Sequence, residues 1–323
     1  MAEFSLIDRI RQRAGSRPDV VLGIGDDAAL IDPPKGQQLV LAVDTLVEGV
    51  HFARGVPPSA IGWKALAVNL SDLAAMGAEP AVALLALTLP DDDSAFVDEF
   101  AAGFAALADT HRVALVGGDT TRGPLAASVT VMGYVPKGSA LTRAGASAGD
   151  DLWITGTLGD AAGALALWKS GLPMLRTGRL RDRLDRPTPR LGAGIALRGL
   201  ATACIDISDG FLADLGHLLA MSGLGADVEA DALPASPALL EAFPDPLLRR
   251  ELQLTGGDDY ELCFSAPVAR REAVRKALDA VATPASRVGS LVAGARLRLF
   301  DADRLPLPLP ARRGYVHFAG SGA

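Results

Sequence analysis

Hydrophobic positions along the chain fall into short runs that break at glycine and aspartate. Val20 to Ile24 reads as a strand running into Gly25-Asp26-Asp27, and Gln38 to Val43 alternates, turns apolar and ends at Asp44. Ser5 and Asp8 make a weak capping box for a short helix through Ile10. Pro58 and Ser59 open a helix whose apolar residues Ile61, Ala65, Leu66, Val68, Leu70, Leu73 and Met76 cover most of its surface, and Gly77 is its stop. Asn69 and Asp72 interrupt that surface at i and i+3, where polar groups need partners. Ala81 to Leu89 is a buried strand, Ser94 caps a helix through Phe96, Phe100, Phe104 and Leu107, and Val113 to Val116 leads to Gly118-Asp119.

Strand Ala127 to Val135 follows, and the Gly/Ser/Ala-rich stretch from Gly138 to Gly149 reads as a linker. It separates a first domain, 1–137, from a second, 138–323. The second begins with strand Leu152 to Thr155 and a helix from Asp160 to Lys169, then a basic segment from Arg176 to Arg190 that reads as a solvated face. An apolar run, Leu200 to Cys204, precedes Ile205-Asp206-Ile207-Ser208-Asp209-Gly210, and a helix-like run, Phe211 to Met221, follows it. Strand Tyr260 to Phe264, a helix from Val268 to Val281, short strands near Arg287 and Leu297, and the tail Gly314-Tyr315-Val316-His317-Phe318 complete the chain. Strands and helices alternate without steady βαβ spacing, which predicts an α+β fold.

The 323 residues suit two domains better than one core, and the 49% hydrophobic and 21% charged content is that of a soluble globular enzyme. A net charge of −7 argues against nucleic acid or an anionic membrane as partner. Ala81 to Leu89 is far short of the roughly 20 apolar residues of a membrane helix, and the N-terminal segment lacks a signal-peptide core. Cys204 and Cys263 read as a buried, reduced pair in a cytoplasmic protein.

The chemistry lies in the aspartates. Asp206 and Asp209, at i and i+3 on a strand-to-helix junction, point at a cation, with the N–H groups of the helix end beside them for phosphate. Gly25-Asp26-Asp27, Val43-Asp44-Thr45, Gly117-Gly118-Asp119-Thr120-Thr121 and Gly256-Gly257-Asp258-Asp259 repeat this logic after strand-like runs. Were Asp27, Asp44, Asp72, Asp119, Asp206 and Asp209 to converge, each pair about 4 Å apart would repel by roughly 4 kcal/mol, so the cluster would need cations. Carboxylate-only ligands select Mg²⁺ over zinc or copper, and Mg²⁺ beside glycine-lined helix ends implies phosphate chemistry with a nucleoside triphosphate. Familiar nucleotide loops are missing: no P-loop occurs, and the Gly23, Gly25, Ala28 imitation of a dinucleotide fingerprint runs into Pro33-Pro34. Gly145 to Gly149 mimics a nucleophile elbow but precedes a strand instead of opening a helix.

Glu3 to Ile7, Gly23 to Ala28, Val43 to Phe52, Lys64 to Gly77 (KALAVNLSDLAAMG), Gly117 to Pro124 (GGDTTRGP), Leu141-Thr142-Arg143, Ile205 to Gly210 and Gly256 to Phe264 together resemble the thiamine-monophosphate kinase family, in order and over the whole chain. That family shares a superfamily with aminoimidazole ribonucleotide synthetase and selenophosphate synthetase. The resemblance implies an N-terminal α/β domain that pairs with its twin in a homodimer, a C-terminal α+β domain, and ATP in the groove between them. It implies that Asp27, Asp44, Asp72, Asp119, Asp206 and Asp209 hold several Mg²⁺ ions, helped by the main chain at Ala42 and Val43, where apolar side chains leave only carbonyls. It places Gly118, Asp119, Arg143 and Ser208 around ATP, and His51, Asp258 and Tyr315 against thiamine monophosphate, with Asp258 where the family more often has Glu. Asp206, Asp209 and Arg143 would carry the catalysis.

The expected reaction is in-line transfer of the ATP γ-phosphoryl group to the substrate phosphate, an anion that needs no general base. The alternatives are a sister enzyme of the superfamily or a Mg²⁺-dependent phosphatase. Against the sisters, residues 1–24 lack the Cys and Lys of selenophosphate synthetases, and Ser321-Gly322-Ala323 lacks the terminal cysteine of hydrogenase-maturation proteins.

Overall fold

The structure is a computed structural model that describes residues 2–171 and 178–317, with side chains from Leu6 onward. The Ser5 cap, Arg176 of the basic segment, Phe318 and Ser321-Gly322-Ala323 lie outside the described residues or side chains. The chain forms two compact units, Met1–Leu73 with Ala78–Ala140, and Ala74–Gly77 with Leu141–Ala323.

The first unit is built on a four-stranded sheet ordered β3-β6-β4-β5, made of β3 (Gln37–Val47), β6 (Ala126–Pro136), β4 (Glu79–Leu89) and β5 (Ala114–Arg122). β6 runs antiparallel to both neighbours, and β4 and β5 are parallel, joined by the crossover helix α3 (Ser94–His111). Asp93 is the helix cap, one residue before the expected Ser94, because its carboxylate reaches the N–H groups of Ala95 and Phe96 at 3.0 Å. α2 (Pro58–Ala75) lies over one face: its Leu66, Leu70 and Leu73 are fully buried, and Leu73 sits under Gly133 of β6. α2 and α3 cross backbone against backbone at Gly62 and Gly103, where a Cβ would collide with the carbonyls of Phe100 and Ser59.

The other face is partly bare. The period-2 pattern of β3 turns Leu39, Leu41 and Val43 outward, and they are 48%, 57% and 61% exposed. α1 (Ala2–Arg11) packs on α3 and β5, and the hairpin β1 (Val20–Leu22) with β2 (Leu30–Ile31) adds Val20 and Ile31 to a cluster around Val82, Val116 and Tyr134.

The second unit holds a seven-stranded sheet ordered β13-β12-β9-β11-β7-β10-β8, in which only β12 and β9 run parallel. The strands are β7 (Asp151–Thr155), β8 (Ala203–Asp206), β9 (Leu224–Glu229), β10 (Leu262–Ala266), β11 (Ala285–Ala293), β12 (Leu297–Phe300) and β13 (Pro306–Leu307). This is the expected α+β architecture. α7 (Phe211–Ser222) covers one face through Phe211, Leu215 and Leu218, packed with Leu152, Ile154, Ile205 and Cys263. On the other face Trp153 stacks on Phe264, and α10 (Arg271–Asp279) lays Arg275 over the indole. α4 (Asp160–Lys169), α5 (Arg179–Asp185) and α8 (Pro237–Ala242) share a smaller core around Leu180, Leu184, Leu239 and Phe243. The remaining helices are α6 (Leu191–Ala196) and α9 (Pro246–Thr255).

One expectation shifts here. Strand β10 starts at Leu262, not Tyr260, because Tyr260 has φ of 51°, a left-handed backbone that no strand accommodates. Cys204 and Cys263 are buried and free, as expected, and since Cys204 pairs with Phe264 and Cys263 with Ile205 their thiols point to opposite faces of the sheet. No helix among the described residues is long and apolar enough to cross a membrane.

Candidate active site

In the first unit the candidate ligands occupy three places. Asp44 sits near the end of edge strand β3, and its N–H donates to the Asn69 side-chain carbonyl of α2 at 2.9 Å. Asn69 is fully buried and in turn donates to Ala65 O at 2.9 Å. Asn69 holds β3, and Asp72, one turn on, lies on the same side of the helix. Because the Asp44 N–H points away from β6, the carbonyl of Ala42 shares that outward edge, while Val43 is engaged in the ladder opposite Thr130. Ala42 is therefore the better-placed of the two backbone donors.

Gly118 and Asp119 lie on the far edge, in β5. Gly118 has φ of 153° and its Cα approaches the Leu85 carbonyl so closely that a Cβ would overlap it. The register runs Asp44, Val129, Leu85, Gly118 across the sheet. Three strand spacings put Asp44 on the order of 14 Å from this edge, so Asp44 and Asp119 of one chain cannot share an ion. Within the first unit the candidates therefore divide between two sheet edges, and no compact group of three metal-type side chains occurs among the described residues. Asp27 is exposed in the β1–β2 loop, where its N–H donates to Asp26 at 2.8 Å. His51 accepts the Val47 N–H on Nδ1 at 3.0 Å, which assigns its ring proton to Nε2, and the buried Lys64 donates to its carbonyl at 3.3 Å.

The second unit assembles its candidates more tightly. Asp206 ends β8 and is 6% exposed, and Ile207 to Gly210 then turn into α7. The N–H groups of Ser208, Asp209 and Gly210 all donate to Oδ2 of Asp214, at 3.0, 3.1 and 3.1 Å. The helix end expected to receive phosphate is thus already filled by a carboxylate of its own first turns. Burial, then the charges of Asp206 and Asp209, push the Asp214 carboxyl up to about 7. The carboxylates of Asp206 and Asp209 thus lie close enough to Asp214 for their charges to be felt there.

Asp258 and Tyr315 join this junction through their backbones: Asp258 N–H donates to Ser208 O at 2.8 Å, and Tyr315 N–H to Asp209 O at 2.9 Å. The Tyr260 hydroxyl donates to Asp258 Oδ1 at 2.9 Å, and Tyr315 stacks edge-on against His317 at 4.8 Å. The turn rests on Glu261, fully buried. Its carboxylate receives Arg190 at 2.5 and 2.6 Å, Arg183 at 2.7 Å and the Thr155 hydroxyl at 2.7 Å. Asp259 beside it takes the Gly159 N–H at 2.9 and 3.1 Å, and burial raises its carboxyl well above the usual range.

Arg143 is held elsewhere. Its carbonyl accepts from Ser222 at the C-terminal end of α7, and the neighbouring Thr142 carbonyl accepts from Cys204 near the start of β8. Twelve helical residues, about 18 Å, separate that end from Asp209.

Family models match both units: AIR synthase related protein, N-terminal domain, over residues 25–135, and AIR synthase related protein, C-terminal domain, over 147–302. The chain is 46% identical to the thiamine-monophosphate kinase of Escherichia coli strain K12 over 322 residues, 98% of each protein. The chain belongs to the thiamine-monophosphate kinase family. Among solved members, the thiamine-monophosphate kinase of Stenotrophomonas maltophilia K279a superposes with a TM-score of 0.86 at 52% identity, covering 93% of this chain and 96% of that one. AaThiL complexed with AMPPCP and TMP superposes with a TM-score of 0.77 at 31% identity, covering 98% and 97%. Asp214, Tyr260 and Glu261 were not singled out. An acid in the first turn of a helix reads as a favourable end charge, and an acid inside the apolar run 260–264 reads as an edge position.

Proposed function

We propose that this chain transfers the γ-phosphoryl group of ATP directly to thiamine monophosphate, giving thiamine diphosphate and ADP, in a Mg²⁺-dependent reaction. The observation that carries the reading is the second-unit junction, where Asp206 and Asp209 stand with the backbones of Asp258 and Tyr315 hydrogen-bonded to their loop. One place thus offers carboxylates for cations and a carboxylate and an aromatic ring for a cationic, aromatic acceptor. The complex of a 31% identical relative with AMPPCP and TMP, an ATP analogue and the acceptor, supports the same pair of substrates here.

In the step itself an oxygen of the acceptor phosphate forms a bond to the γ-phosphorus as the bond to the ADP oxygen breaks, with no proton to remove and no phosphoenzyme. Asp27, Asp44, Asp72 and Asp119 of the first unit and Asp206 and Asp209 of the second would hold Mg²⁺, with Ala42 adding its carbonyl. Bound there, the ions would neutralise the two polyanions and the charge on the transferred group. Gly118 would contact the nucleotide through its bare backbone and Ser208 through its hydroxyl, its N–H being held by Asp214, and His51, Asp258 and Tyr315 would orient the acceptor. Arg143, whose main chain is tied to Ser222, would extend its guanidinium toward the phosphates of ATP.

We further propose that the chain works as a cytoplasmic homodimer through the bare sheet face of Leu39, Leu41 and Val43. Leu41→Asp is expected to halve the mass seen by light scattering, and an unchanged mass would move the interface elsewhere. For the reaction, ADP and thiamine diphosphate are followed with ATP and Mg²⁺, with and without thiamine monophosphate, beside Asp206→Asn. The expected result is product only with all three components, and its collapse in the variant. Inorganic phosphate released without ATP would support a phosphatase and refute the kinase reading.

A further inference from the structure

The turn Gly256 to Glu261 contains two side-chain-bearing residues in the left-handed region, Asp258 at φ 69° and Tyr260 at φ 51°. Aspartate tolerates that backbone through local hydrogen bonds, whereas tyrosine has no such relief, and a conformation of this kind persists only where its surroundings impose it. They do so from both sides. The Asp258 and Tyr260 N–H groups donate to the carbonyls of Ser208 and Ile207, each at 2.8 Å, and Gly257 lies so close to Ser208 O that a Cβ there would stand 2.5 Å from it. Arg183 donates to the Asp259 carbonyl at 3.0 Å while it holds Glu261, and the Asp259 carboxylate receives the Gly159 N–H.

The strained backbone folds the phenol of Tyr260 back along its own turn. The residue is 7% exposed, and its hydroxyl reaches Asp258 Oδ1 at 2.9 Å. In an extended strand, residues 258 and 260 would sit side by side on one face with no bend to bring a hydroxyl onto a carboxylate. We infer that Tyr260 is a positioning residue for the acceptor: its hydroxyl fixes the rotamer of the Asp258 carboxylate, and through it sets the affinity for the cationic, aromatic half of thiamine monophosphate. This rests on the kinase reading and extends it to the choice of acceptor.

Tyr260→Phe keeps the ring and removes the hydroxyl. A hydrogen bond to a charged group supports an effect of about tenfold, so the variant is expected to raise the KM for thiamine monophosphate by about 5–10-fold. The KM for ATP and the melting temperature should stay at wild-type values. Because Tyr260 acts through Asp258, the same change in an Asp258→Ala background should add less than about twofold. An acceptor KM within about twofold of wild type, a parallel rise in both KM values, or a full Tyr260→Phe effect without Asp258 would each overturn the inference. The kinase reading fails separately, if the wild-type protein itself forms no ADP in response to thiamine monophosphate.

Discussion

Glu261→Gln tests the support beneath the acceptor turn. The carboxylate is fully buried between Arg183 and Arg190, whose side chains are 20% and 18% exposed. Removing one member of a buried ion cluster costs about 3–5 kcal/mol, mainly because the partners keep their charge in a poorly hydrated place. The two arginines retain some contact with water, which argues for the lower end, about 3 kcal/mol. At about 2–4 °C per kcal/mol for a unit of this size, the second unit should melt about 6–12 °C earlier. Calorimetry on the full chain reads the shift directly. The companion variant Arg183→Met, Glu261→Met, Arg190→Met removes the three charges centred on Glu261 and should recover part of the loss, since Asp160, 4.0 Å from Arg183, loses its partner as well. If the triple variant falls as far as the single one, stranded charge is not the cause. A shift under about 3 °C in Glu261→Gln alone would show that the cluster contributes little.

Three further outcomes follow from the geometry. Gly103→Ala should abolish stable folding of the first unit, since its methyl would enter the Ser59 carbonyl, whereas Gly36→Ala, at a φ of 78° but with nothing near its Cβ, should cost only about 1–2 kcal/mol; soluble yield and circular-dichroism melts separate them. In chelator, the raised Asp214 carboxyl favours the protonated fold, so this share of stability is complete below about pH 4 and is lost as the pH rises through about 7. Asp214→Asn should therefore lose less melting temperature than wild type between pH 5 and pH 8, and equal slopes would contradict the shift. Asn69→Ala leaves the Asp44 N–H without its acceptor and should raise the Mg²⁺ concentration for half-maximal activity several-fold, with substrate KM values at saturating Mg²⁺ little changed.

Local signals carried far into this fold. The helix from Asp160 to Lys169 and the Pro58 start of α2 are visible in the sequence because caps and a 3.6-residue period are properties of neighbouring residues. The Asp206–Asp209 junction is legible for the same reason. Asp93 instead of Ser94 as a cap turns on a one-residue choice between two competent side chains. The distance between Asp44 and Asp119 was not legible, because it depends on β6 and β4 lying between their strands, and strand order is set by contacts far apart in sequence. Tyr260 has the composition of a strand residue, and its turn is imposed by Arg183, Ser208 and Gly159, none of them adjacent to it in the chain.

Asp214 has a consequence for the speed of cation capture. By tying the N–H groups of Ser208, Asp209 and Gly210 to one oxygen, it orders the loop at folding, before any ion arrives. A flexible loop would have to search for its liganding shape during each encounter, and ordering it would weaken binding. Here the slow event is left to the ion, which must release water that Mg²⁺ gives up reluctantly. Stopped-flow association should accordingly be much faster for Ca²⁺ than for Mg²⁺ in wild type, and Asp214→Ala should slow both toward a common rate set by the chain.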